Sequence, residues 1–138
     1  MKRLTAARKR MVGPVAGLFA VSLLAGCASS QQDPVRATAD RFYAAIADGD
    51  GQAACAVLAP TVRSEIEESA GSPCSQAILD EDVPDASVPT RVSVYGTSAQ
   101  VRYDGESAFL SRFEDGWRVI AAACRPGPVR YDCRIQGA

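Results

Sequence analysis

Apolar residues fall at helical spacing in the first half of the chain, at Val35, Ala39, Phe42 and Ile46, and at every second position beyond Thr90. A period that changes from about 3.6 to about 2 predicts helices followed by strands. Asp33-Pro34 has the form of an N-cap with proline at the first helical position, so a first helix is expected to start there and to stop at Asp48-Gly49-Asp50-Gly51. A short second helix is expected over 52–58. Pro60 opens a third with Val62 and Ile66 on its apolar side, and Ser72-Pro73 repeats the cap-and-proline signal before a fourth over 74–79. Residues 80–89 hold two prolines and four acids and read as an exposed connector.

In the second half, Val92 and Val94 alternate with Ser93 and Tyr95, and Ala99, Val101 and Tyr103 with Gln100 and Arg102. Ala108, Leu110 and Arg112 then alternate with Phe109, Ser111 and Phe113, and Trp117, Val119 and Ala121 with Arg118, Ile120 and Ala122. Gly96-Thr97-Ser98, Asp104-Gly105 and Asp115-Gly116 separate these runs, and Asp-Gly between alternating segments marks a tight hairpin. The pattern gives a four-stranded meander, to which 131–135 adds either a fifth, edge strand or a segment that wraps back. Helices first and an antiparallel sheet after them make an α+β fold, with the helices on one face of a curved sheet.

Composition divides the chain in two. Over all 138 residues the formal net charge is -1 and 47% of the residues are hydrophobic, which suits a single domain. Yet residues 1–10 hold Lys2, Arg3, Arg8, Lys9 and Arg10 and no acid, whereas from Cys27 onward ten arginines face sixteen acids. That balance, with a pI near 5.4, argues against a nucleic-acid partner. The basic start leads into a largely apolar run over 11–25, shorter than the roughly 20 residues of a membrane-spanning helix and of the length of a signal-peptide core.

Leu24-Ala25-Gly26-Cys27 ends that run and resembles the lipobox of bacterial lipoproteins. The resemblance implies diacylglycerol on the Cys27 thiol, cleavage before Cys27, and attachment to the outer face of the cytoplasmic membrane. The expected organisation is a signal peptide over 1–26, a small, polar, lipidated tether over 27–33 and a folded domain over 34–138. Two acyl chains hold such a domain firmly, because each buried CH2 contributes about 0.8 kcal/mol and one chain alone is marginal.

The other cysteines are Cys55, Cys74, Cys124 and Cys133. An even set in an exported chain reads as a disulfide framework with three possible connectivities. Closeness in sequence favours Cys55 with Cys74 and Cys124 with Cys133. With no histidine and no CxxC pair, the set is a poor zinc site, and Asp80-Glu81-Asp82-Val83-Pro84-Asp85 lacks the glycine that turns a calcium loop. No metal and no cofactor is expected.

The run from Ala39 to Asp50, then Ala53-Ala54-Cys55-Ala56-Val57-Leu58-Ala59-Pro60, then strands closing on Glu114-Asp115-Gly116-Trp117-Arg118-Val119, resembles the cone-shaped domains related to nuclear transport factor 2. It is similar, more closely, to small exported lipoproteins of high-GC Gram-positive bacteria, with paired cysteines around the second helix and a Cys124-to-Cys133 ending. The resemblance implies a cone-like sheet with a cavity under the first helix, which Phe42, Tyr43, Tyr95, Tyr103, Phe109, Phe113 and Trp117 would either line or fill. It is silent on activity, because this architecture hosts enzymes and binding modules alike.

Lack of histidine removes the commonest neutral-pH base. The best remaining catalytic pair is Asp40 with Tyr103, which would suit an isomerase- or cyclase-like enzyme. Asp104, Glu106, Glu114 and Asp115 sit in or beside turns and are expected to face water, and Arg102, Arg112 and Arg118 are expected on a solvated sheet face. The leading expectation is a non-enzymatic binding or interaction module, held at the membrane by lipid, with an envelope protein or a small apolar ligand as partner. A structural accessory of a membrane complex is the third reading.

Overall fold

The computed structural model describes residues 26–86 and 88–137, with side chains from Ser30 onward. The expected signal peptide short of Gly26, and the side chain of Cys27, lie outside these described residues. Four helices precede five strands, the α+β order that the periodicity predicts.

Helix α1 (Gly26–Ala47) starts earlier than Asp33 and carries Pro34 inside it. Proline lacks the N–H that would bond one turn back and normally breaks a helix there. Tertiary contact holds the turn before it: Gln31 Oε1 accepts from Trp117 Nε1 at 3.2 Å and from Arg112 Nη1 at 3.3 Å. Residues 27–33, expected as a tether, therefore lie within α1. Helix α2 (Gly51–Ala56) begins at Asp50, whose side chain accepts from the Ala53 N–H at 2.9 Å. Helix α3 (Pro60–Ala70) has proline at its first position, and α4 (Cys74–Asp80) follows Pro73. Its first N–H is capped from a distance, because Glu67 Oε1 accepts from Cys74 N at 3.1 Å.

Helices α2 and α4 are bound by two features. The Cys55–Cys74 disulfide joins them, and Gly51 lies so close to α4 that a Cβ there would sit 1.9 Å from the Ser75 carbonyl oxygen. A closed loop of this size contributes about 3 kcal/mol in the chain-entropy account.

The strands are β1 (Arg91–Tyr95), β2 (Ser98–Arg102), β3 (Ser107–Phe113), β4 (Gly116–Pro126) and β5 (Tyr131–Gln136), antiparallel neighbours in sequence order. The last segment is thus an edge strand, and Cys124 and Cys133 face one another across β4 and β5 and are joined. Along the first part of β4, Val119 bridges to Leu58, so the chain entering α3 covers that edge.

In β4 the simple alternation fails after Val119. The β3–β4 register shifts, so that Leu110 faces Val119 but Phe109 faces Ala121 and Ser107 faces Cys124. These irregularities turn Ala122 inward in place of Ala121: Ala122 is fully buried. The core joins Val35, Ala39 and Phe42 of α1 to Leu58, Val62, Ile78, Val101, Leu110, Val119 and Ile135. Each fully buried large side chain of this set contributes about 1.5–3 kcal/mol over an exposed one. Val83 and Ala86 of the connector pack against the same core, which fastens a segment the sequence marks only as exposed.

Candidate functional site

One polar cluster interrupts this apolar interior, and local geometry explains how it forms. Inward parity on β2 and β3 runs through Ala99 and Val101, and through Ala108 and Leu110. Stepping two residues beyond each run reaches Tyr103 and Glu106. The Asp104-Gly105 turn, with Gly105 at φ 81° and the Tyr103 N–H donating to the Glu106 carbonyl at 2.8 Å, sets both at the hairpin end facing α1. Tyr43 comes from the neighbouring stripe of α1, its ring edge-on to Tyr103 with centroids 4.9 Å apart.

The β4 irregularity supplies the fourth member. Ala123 holds φ at 51°, the one non-glycine positive φ among the described residues. A left-handed alanine is held there against a cost of about 1–2 kcal/mol. In this conformation its N–H donates to the Tyr43 hydroxyl at 3.2 Å. That hydroxyl also favours the ionised form of the Glu106 carboxyl group.

Glu106 is 9% exposed, although its place beside a turn predicts a solvated carboxylate. Parity wins over proximity to the turn. Burial raises its pKa above the ordinary carboxylate value, against the opposing effects of the Tyr43 hydroxyl and the Arg125 charge. Burial likewise holds the Tyr43 and Tyr103 hydroxyls far above the usual phenol range, so both stay neutral donors. Two polar atoms of the cluster, Glu106 Oε1 and Tyr103 Oη, are buried without a hydrogen-bond partner. Buried polar atoms are nearly always paired, so these two stand out within an otherwise apolar interior.

Glu106 and Ala123 form the buried end of a surface cleft of about 360 Å³. Exposed charges surround its mouth: Glu81 and Asp82 from the connector, Arg125 of β4, and Asp132 and Arg134 of β5. The sequence offers Glu81 and Asp82 only as part of an acidic run without a calcium-loop glycine, and gives Arg125, Asp132 and Arg134 no site role. The signal that finds Glu106 is the inward parity of Ala108 and Leu110 carried back by one more step.

The aromatic residues divide differently from the expectation of one lining. Phe42, Tyr43, Tyr103 and Trp117 are buried in the core. Tyr95 is 68% exposed, opposite Ser98, and Phe113 is exposed beyond it. Phe109 pairs with Gln100 on the outer face and stacks edge-on against Tyr131 at 4.9 Å. Strand parity is the reason, since these three residues have the phase opposite to Val101 and Ala108. Asp40 stands exposed at the surface, 3.5 Å from Arg36, and reaches Tyr103 only through its charge. The Asp40–Tyr103 pair is therefore not assembled as a contact. The arginines are also separated: Arg112 turns toward Gln31 of α1, whereas Arg118 bonds Asp115 and the Ala56 carbonyl.

Among the described residues no cluster of three or more carboxylate or cysteine side chains is suited to hold a metal ion. No described helix is long and apolar enough to cross a membrane. Comparison with family models, with curated proteins and with solved structures finds no match to this chain.

Proposed function

We propose that the protein is a lipid-anchored extracytoplasmic binding module of the nuclear-transport-factor-2-like type, which holds a ligand in the cleft above Glu106 and carries out no chemistry on it. The observation that carries the reading is the buried Glu106 carboxyl, one oxygen of which has no hydrogen-bond partner, lining the end of an open cleft. Leu24-Ala25-Gly26-Cys27 and the basic, then apolar, residues before it support the anchor. Two disulfides support an oxidising compartment.

The anchor is tested by Cys27→Ser, with the expected result that the chain loses its acyl mass and leaves the membrane fraction as an unlipidated species. A Cys27→Ser chain that still carries lipid and stays with the membrane overturns it. Native mass spectrometry of the chain taken from its own cells tests the binding role. The expected result is a bound mass that Glu106→Ala removes while the anchor is unaffected.

A further inference from the structure

We infer that the cleft above Glu106 takes the ammonium group of a small organic molecule, an inference that rests on the binding-module reading and names its ligand class. The Glu106 side chain lines the buried end of a cleft that opens to solvent, and its Oε1, closed off from water, is an acceptor without a donor. A carboxyl group removed from water is best served by a donor that also carries positive charge, because charge-assisted hydrogen bonds are roughly twice as strong as neutral ones. The mouth supplies a further attraction. Glu81, Asp82 and Asp132 stand there with Arg125 and Arg134, so carboxyl groups outnumber guanidinium groups by two once Glu106 is included.

Arg125 acts on Glu106 through its charge, but no two of these groups are close enough to form an ion pair. Ion pairs among the described residues join Arg36 with Asp40 and Arg118 with Asp115, and neither pair involves the cleft. A bare metal ion is a poor occupant, because the described residues hold no cluster of three or more candidate ligands. The volume, about 360 Å³, lies at the small end of ligand sites and suits a molecule of a few heavy atoms rather than a folded partner. Arg125 and Arg134 add a refinement. A ligand that carries a carboxylate beside its ammonium group meets both signs of charge, so a small amino acid binds more tightly than a simple amine.

The test is a titration of the full chain in mild detergent, followed through the backbone amide resonances of Glu106 and Ala123. Ethylammonium, glycine, ethanol and acetate are the probes. Ethylammonium and glycine are expected to shift both amides saturably, glycine at lower concentration, with ethanol and acetate inert. Glu106→Gln keeps the shape and removes the charge, and is expected to weaken both active probes about tenfold or more. The exposed double substitution Glu81→Gln with Asp82→Asn is expected to weaken them less, with no change in thermal melting. Equal affinity in all three proteins, or an ethanol response matching ethylammonium, overturns the ammonium assignment. A response to ethanol or acetate alone overturns the assignment and keeps the binding module. Silence to all four probes overturns both.

Discussion

Tyr43 is the residue on which the polar cluster depends. Its hydroxyl accepts from Ala123 and favours the Glu106 carboxylate, so Tyr43→Phe leaves a buried N–H unpaired and removes a polar neighbour of Glu106. The expected loss is about 1–3 kcal/mol, read as a lower urea midpoint at unchanged slope. Glu106 acts through its charge instead. Its pKa is raised in the fold, so the folded state holds the proton more firmly than the unfolded chain does, and stability is lost as pH climbs from the ordinary carboxylate value toward the raised one. Glu106→Gln cannot ionise. Its melting temperature is expected to match the parent in acid and to exceed it increasingly above about pH 4.3, the ordinary glutamate value. A parent that gains stability relative to the variant over that range contradicts the direction. Tyr103 and Glu106 are both legible from strand parity, whereas Ala123 is not, because a left-handed alanine has no signature of its own in sequence.

Among the elements, those with strong local chemistry are the ones the sequence reads well. Pro60 and Pro73 mark the starts of α3 and α4, and the Asp-Gly turns bound β3 and β4. The start of α1 is misplaced because the deciding contact is non-local: Gln31 is held by Trp117, eighty-six residues away. Gln31→Ala is expected to speed hydrogen exchange of the first turns of α1 and to cost about 1 kcal/mol, with the rest of the domain unaltered. Pairing of α2 with α4 has a stricter requirement. Gly51→Ala drives a methyl group into the Ser75 carbonyl, backbone against backbone, and is expected to lose about 1–3 kcal/mol in chemical denaturation even with the Cys55–Cys74 bond intact. No motif announces that contact. A glycine after Asp-Gly-Asp reads as a helix stop, and only the fold shows it to be a point of close approach.

For the molecule as a whole, the order of periods along the chain is enough to give α+β architecture, and nearness in sequence is enough to pair the cysteines. The site is less accessible because it gathers residues from α1, the connector, the β2–β3 hairpin and the last two strands, each of which looks ordinary alone. The joined pair on β4 and β5 has a consequence for how the protein behaves in a protease-rich environment. Arg130 lies in the exposed loop between Cys124 and Cys133, beside a Val129 that is 94% exposed. A trypsin-like cut after Arg130 adds one water to the mass and frees no fragment, since both new ends remain tied through the sulfur bridge. The nicked chain runs as a single species until a reductant separates its last residues, so the tail of this domain can be severed in sequence while staying in place in the sheet.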